Sequence, residues 1–249
     1  MVVTGAASGI GRAIALRFGA LGDTVVIADV QRAGRDGEST DELILRNGGQ
    51  AEFVQADVSR QPEVQALIDG VCERYGRLDV IVNNAGIAGR HNKDLLETTE
   101  DDWDAIMAVN LRGVFLCCRA AVRVMLTQDP IDDVRGHVVN ISSQHGMVGP
   151  PGSVAYAASK GGVVNLTRQL AVDYGRRGVL INAVAPGKIL TGSPEQGNPE
   201  ALAYSHARTP FARLGRPEDV AGAVAFLTSP DARYVSGTNL LVDGGWMAY

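Results

Sequence analysis

Thr4-Gly5-Ala6-Ala7-Ser8-Gly9-Ile10-Gly11 is the stretch that decides the fold. It follows the strand-like pair Val2-Val3 and opens a helical pattern of Ile10, Ile14, Phe18 and Leu21. Gly5, Gly9 and Gly11 permit a tight turn there, and they let main-chain N–H groups at the helix start approach a pyrophosphate, where the helix dipole favours negative charge. Ser8 and Ile10 belong to the same phosphate-facing turn. Asp29 lies 18 residues after Gly11, at the end of the next strand pattern. A carboxylate at that point is placed to accept hydrogen bonds from both hydroxyls of an adenosine ribose.

Outward from this turn, short runs rich in Val and Ile at 24–29, 51–56, 78–83, 137–142, 179–184 and 239–242 read as strands buried on both faces. Helical spacing lies between them. Val64, Leu67, Ile68, Val71, Cys72 and Tyr75 form one stripe, with Pro62 in the first turn. Alternating strands and helices predict an α/β fold, a single-domain, doubly wound parallel sheet of Rossmann type with helices on both faces, spanning 1–249. Only Met1-Val2-Val3 precede Thr4, so the first strand is expected to be short.

The 249 residues are 45% hydrophobic and 20% charged, as in a soluble globular domain rather than a disordered chain. Thirty glycines without a three-residue period belong to turns and close backbone approaches. Twenty-three Lys and Arg against 28 Asp and Glu leave a net charge of −5, which argues against nucleic acid as a partner. Apolar runs such as 221–227 are far shorter than the ~18 residues of a membrane span, and no charged-then-apolar leader opens the chain. No membrane partner and a cytoplasmic location are expected. Cys72, Cys117 and Cys118 lack metal-ligand spacing and predict reduced thiols. His91, His137 and His206 form no ligand spacing either, so no metal is assigned.

Six ordered motifs make the chain resemble the short-chain dehydrogenase/reductase family over essentially its whole length. They are Thr4 to Gly11; Asp57-Val58; Asn83-Asn84-Ala85-Gly86; Asn110 within Val-Asn-Leu-Arg-Gly-Val-Phe; Tyr156-Ala157-Ala158-Ser159-Lys160; and Pro186-Gly187 with Ile189 and Thr191. The resemblance implies that Ser143, thirteen residues before Tyr156, is the catalytic serine rather than Ser142. It also implies that Asp57 and Val58 touch adenine and that Asn83, Ala85, Gly86, Pro186, Gly187 and Ile189 line the cofactor. Thr191 would contact its carboxamide, Lys160 would hold the nicotinamide ribose, and Asn110 would position a water linking Lys160 to solvent.

The chemistry also follows from the residues. A secondary alcohol loses its hydroxyl proton as its carbon loses hydride, so a base near neutral pH is required. Free tyrosine titrates near ~10. Lys160, one turn beyond Tyr156 on the same face, would favour the phenolate by up to ~4 kcal/mol at ~4 Å and an effective dielectric of ~20, before the opposing desolvation. Ser143 would donate to the substrate oxygen as charge develops. His145 either lines the substrate pocket or is an ordinary surface histidine, and Trp246 is read first as packing.

Residues 188–213 show no strand pattern and carry Gly192, Pro194, Gly197, Pro199 and Pro210, which predicts a substrate-binding loop and lid. A helix at 103–126 is apolar around its circumference; together with Val163, Val164, Leu166, Leu170 and Val172 it predicts a homo-oligomer, with a tetramer favoured by the resemblance. NAD is expected over NADP, because Asp29 confronts a 2′-phosphate with like charge; Arg32 is the counter-evidence. The substrate expected is a small alcohol, polyol or sugar-like compound or its ketone. A 3-oxoacyl-thioester (acyl-carrier-protein) reductase is the alternative, and a dinucleotide-binding sensor is the non-enzyme alternative.

Overall fold

The computed structural model describes residues 1–34, 36–89, 93–192 and 199–249. Seven strands, β1 (Val2–Thr4), β2 (Thr24–Asp29), β3 (Gln50–Gln55), β4 (Val80–Asn83), β5 (Gly136–Ile141), β6 (Val179–Pro186) and β7 (Asn239–Val242), form one sheet in the order β3-β2-β1-β4-β5-β6-β7. Every pairing is parallel. The expected doubly wound single domain is therefore present. The winding reverses between β1 and β4, where ligands of open α/β sheets bind.

Successive strand residues point to opposite faces and so build two cores. Val3, Val25, Ile27, Val82 and Val139 pack under α1 (Gly9–Ala20), α2 (Thr40–Arg46) and α8 (Pro217–Leu227) through Ile14, Phe18, Ile44, Val220 and Val224. Their neighbours Val2, Val26, Ile81, Val138 and Ile181 face α3 (Gln61–Tyr75), α5 (Val114–Met125) and α6 (Val154–Tyr174). The stripe expected on α3 is buried at Val64, Leu67, Ile68 and Val71, whereas Cys72 is half-buried and Tyr75 is exposed.

Three expectations are corrected. The strand expected from residue 78 begins at Val80, because the Leu78 N–H donates to Gln128 Oε1 at 2.6 Å instead of to a neighbouring strand. The helix expected at 103–126 is two α-segments, α4 (Glu100–Met107) and α5, joined by a π-helical stretch, Ala108–Gly113. Its circumference is not all buried in one chain: Trp103 and Phe115 are exposed, while Cys117, Cys118 and Met125 lie in the core. By length and composition Glu100–Met125 would pass for a membrane span, but this helix covers the sheet. Thirdly, Val163 and Val164 are buried in the chain's own core rather than offered to a partner; Val172 is the exposed one of that set. Within the expected lid, α7 (Pro199–Arg208) is helical, and residues 193–198 of the lid lie outside the described residues.

A Cβ at Gly11 would stand 2.3 Å from the Gly5 carbonyl oxygen and 2.5 Å from the Asn84 amide nitrogen, whereas at Gly222, exposed on α8, it would meet nothing within 4 Å. Gly11→Ala should therefore cost about 1–3 kcal/mol through overpacking, and Gly222→Ala should add about 0.4–1 kcal/mol. Thermal melting of the two variants beside the parent checks this; a Gly11→Ala protein as stable as the parent would mean that the turn yields freely.

Candidate active site

Two chain turns meet at the point where the strand order reverses, and polar contacts staple them together. The Thr4 hydroxyl accepts from the N–H groups of Asn84 (3.0 Å) and Ala85 (3.1 Å), and the Asn84 amide donates to the carbonyls of Thr4 (3.0 Å) and Gly5 (2.9 Å). Sequence reasoning placed neither Thr4 nor Asn84 in the site, although both lie inside quoted motifs; their polarity beside a fully buried strand was the available signal. Ser8 is the N-cap of α1 and makes no side-chain cap, so the first turn of Gly9, Ile10 and Gly11 keeps its main chain towards the cleft. Across it, Thr191 lies 3.5 Å from where a Gly9 Cβ would stand, and buried Ile189 pairs with Gly215.

Asp29, half-buried at the end of β2, accepts from the N–H groups of Ala7 (2.9 Å) and Val30 (2.7 Å). The acid and the glycine turn are thus one unit. Nearby cations are matched: Arg32 pairs with Asp41 at 2.7 Å and Glu42 at 3.2 Å, and Arg12 pairs with Asp36 at 2.5 Å while donating to the Ala7 carbonyl. Two residues expected at the cofactor spend their side chains elsewhere. Asn83 turns its amide into the core, donating to Asn140 Oδ1 at 2.8 Å and Cys118 Sγ at 3.3 Å, so only its main chain remains for the cleft. The Asp57 carboxylate accepts from the Ser59 N–H and hydroxyl, which holds it below the usual carboxylate range, while Val58 is buried against Gly113.

The residues expected to be catalytic gather on α6 and the turn after β5. Lys160 is 4% exposed, and its ammonium donates to the Ile141 carbonyl at 2.8 Å. Burial pushes it down to about 8. A Cβ on Gly86 would lie 3.6 Å from Lys160 Nζ, an ordinary contact, and 3.3 Å from Asn110 Oδ1, a slightly tight one, so Gly86 lies directly against both groups. Asn110 is fully buried in the π-helical stretch and bonds both ways with the Ile87 main chain, at 2.8 Å each. Its amide also donates to Ser159 Oγ, which donates to the Tyr156 carbonyl. π-Turns inside helices frequently mark functional sites; no side-chain period signals one, and the sequence reading missed it.

Tyr156 is half-buried, with Lys160 Nζ 5.8 Å from its ring centre. Burial raises its phenol above the ordinary value, partly offset by its hydrogen bond with Ser143. The desolvation expected to oppose Lys160 is present on both groups: the burial that brings them together disfavours both charges. Ser143 keeps its oxygen at the cleft and accepts from the His145 N–H at 3.1 Å, whereas Ser142 is tied to the Val184 carbonyl and to Asn239. His145 stands edge-on to Tyr156 and to Trp246, centroids 6.3 Å apart in both cases, and Trp246 is 7% exposed within its own chain. Pro186 ends β6, and Gly187 packs against Asp243. Among the described residues no three His, Cys, Asp or Glu side chains gather as metal ligands do; His91 lies outside those residues. The three cysteines are free thiols, two of them buried.

The chain matches the family model described as Enoyl-(Acyl carrier protein) reductase over residues 5–247. It is 42% identical over 249 residues to a 3-oxoacyl-[acyl-carrier-protein] reductase of Synechocystis sp., covering 100% of this chain and 96% of that protein. It is 40% identical to glucose 1-dehydrogenase 2 of Bacillus subtilis, covering 100% and 94%. The crystal structure of levodione reductase superposes with a TM-score of 0.90 at 37% identity, covering 100% of this chain and 97% of that one. With these matches running the length of the cleft and the sheet beneath it, the chain belongs to the short-chain dehydrogenase/reductase family of oxidoreductases, which bind a nicotinamide dinucleotide.

Proposed function

We propose that the protein is an NAD-dependent oxidoreductase acting on a secondary alcohol or its ketone, with small alcohol, polyol or sugar-like substrates. The observation that carries the proposal is the buried Lys160 amine beside Tyr156, enclosed by Gly86 and Asn110. A bound dinucleotide supplies the hydride acceptor. The cradle fits one: Gly11 leaves open main chain where a Cβ would strike Gly5, and Asp29 is already ordered on the same turn. Gly5, Ser8, Gly9, Ile10 and Gly11 would hold the phosphates, Asp29 the ribose hydroxyls, and Ala85, Gly86, Pro186, Gly187, Ile189 and Thr191 the walls. A metal has no part in this reading. The 3-oxoacyl-thioester alternative is favoured by the Synechocystis relative's own activity. Against it, of Arg208 and Arg213 only Arg208 lacks an acidic partner among the described residues, Arg213 being engaged by Asp219 at 2.6 Å, and one cation does not make a basic patch.

Tyr156 Oη exchanges the hydroxyl proton with the substrate, and Ser143 donates to the substrate oxygen. Lys160 sets the charge that the phenol meets. Tyr156 and Lys160 share protons: moving one from phenol to amine conserves net charge and turns two isolated burial costs into one ion pair. Asn110 and Ser159 hold the α6 backbone in register with that exchange. The described parts of the lid expected at 188–213, residues 188–192 and 199–213, would close over the site. A cytoplasmic location accords with the free thiols.

Tyr156→Phe should lose at least about 100-fold in turnover while retaining NAD affinity. Alcohol oxidation by the parent should rise as pH passes about 8, where Lys160 titrates. The same shift has a stability sign. Lys160 titrates below its ordinary 10.5, so the unfolded chain binds the extra proton between pH about 8 and 10.5, and parent stability rises across that window. Lys160→Met should lack that rise; melting temperatures that move in parallel for the two proteins would refute the buried charge.

Cofactor choice rests on Asp29 with Arg12 and Arg32 already matched to acids. A 2′-phosphate would meet like charge and forfeit a charge-assisted hydrogen bond, so a preference for NAD of about 100-fold is expected. Specificity constants for NAD and NADP in the parent and in Asp29→Ala test this: equal parent values, or an unchanged preference in the variant, would remove Asp29 as selector.

A homo-oligomer, with a tetramer favoured, completes the proposal. The helix Glu100–Met125 leaves Trp103 and Phe115 exposed, with Arg119 stacked 5.3 Å from the Phe115 ring. Its first turn is acidic at Glu100, Asp101 and Asp102, and its second half exposes Arg112, Arg119 and Arg123. An antiparallel second copy would match those charges. Light scattering at micromolar concentration should return a multiple of the 26.2 kDa chain mass, and an active monomer would count against it.

A further inference from the structure

Beyond Tyr156 the site continues as a row of rings that ends in a cation. His145 meets Tyr156 and Trp246 edge-on, and the Arg208 guanidinium carbon stands 4.4 Å from the Trp246 ring centre and 6.0 Å from that of Tyr249. Arg208 is the last residue of α7 and therefore belongs to the same segment that is read as the lid. Its Nε is buried and has no hydrogen-bond partner. Its Nη2 makes one long contact, 3.5 Å, to the Tyr249 carbonyl, and among the described residues no Asp or Glu side chain pairs with it. Asp243, three residues before Trp246, is occupied, one oxygen accepting from the Gly245 N–H and the other from the Met247 N–H, both at 2.9 Å.

Stacking on an indole and a place at a helix C-terminus both favour a cation there. Neither accounts for the Nε. Stacking fixes the guanidinium plane and leaves its N–H groups to find acceptors in that plane, and a buried donor without one is costly. The other arginines in this part of the chain show the contrast: Arg213 lies over Phe211 at 5.3 Å and also bonds both oxygens of Asp219. Arg208 has the ring without the acid.

We propose that Arg208 binds a carboxylate carried by the substrate, at the far end from the carbinol, with the Trp246 and His145 rings lining the path between them. This rests on the reading of Tyr156 as the reacting end. A planar guanidinium edge matches two carboxylate oxygens, and one unmatched positive charge matches a monoanion rather than a phosphate dianion. The substrate class is thereby narrowed to hydroxy acids and their oxo counterparts. Arg208 is a specificity residue, because the proton moves at Tyr156.

Two measurements test this. Calorimetric titration of the NAD-loaded parent with straight-chain alkanoates of increasing length, beside the matching neutral amides, should show one length at which the acid binds about 10- to 100-fold more tightly than its amide. In Arg208→Gln that ratio should fall towards one. Acids and amides bound equally by the parent at every length would overturn the proposal, as would an acid preference that survives in Arg208→Gln. The second measurement is turnover of hydroxy acids against their methyl esters, where the parent's preference for the acid should lie in KM. Turnover of esters without acid preference leaves the alcohol chemistry standing and sinks the role of Arg208. Acid preference in binding without turnover of any secondary alcohol does the reverse.

Discussion

The arrangement depends on burying one amine. Lys160 reaches through the α6 side of the cleft to the Ile141 carbonyl at the end of β5, and nothing in the described chain meets it with a negative side chain. Burial lowers its affinity for a proton, to about 8. What surrounds it follows from that demand. Gly86 lies against the amine, Asn110 is turned inward within a π-helical stretch, and Ser159 ties Asn110 to the backbone that carries Tyr156. Burying such a group costs stability.

The sheet supplies the rigid reference for these groups. Its central strands are buried on both faces, while β3 and β7 at the edges are only partly buried. The two cores draw on alternate residues of the same strands, so a shift of register would move apolar side chains to the wrong layer on both sides at once. Beneath the site, Asn83, Asn140 and Thr167 form a buried chain of donors and acceptors that joins β4, β5 and α6, ending on the Val163 carbonyl. Buried polar chains of this kind specify position more than they add stability. Here they set the helix that carries Tyr156 and Lys160 against the two strands whose ends form the cleft.

The glycine turn shows the same economy at the other end of the cleft. Main-chain groups make the cradle, and the side chains that matter, Thr4, Asn84 and Asp29, act by fixing main chain. That is why substitution by residues of similar polarity would not be neutral there: the geometry of four short bonds holds two turns together across the reversal of strand order.

Much of this was legible in the amino-acid sequence, because the signals are local. The glycine spacing between Val3 and Ile14, the Val-rich runs and the stripe on α3 each reflect a backbone period that neighbouring residues impose on one another. Tyr156 and Lys160 lie one helical turn apart, so their shared face follows from helix geometry alone. What the sequence could not determine depends on partners distant along the chain. Asn83 turned into the core because Asn140 and Cys118 lie there, and Leu78 left the strand ladder because Gln128 supplies its hydrogen bond. The π-helical stretch, the pairing of Arg32 with Asp41 and the stacking of Arg208 on Trp246 were likewise decided by tertiary packing. Charge balance is the sharpest case. Spacing placed an ammonium beside a phenol, but only the depth at which the fold buries both determines that each resists its charge alone.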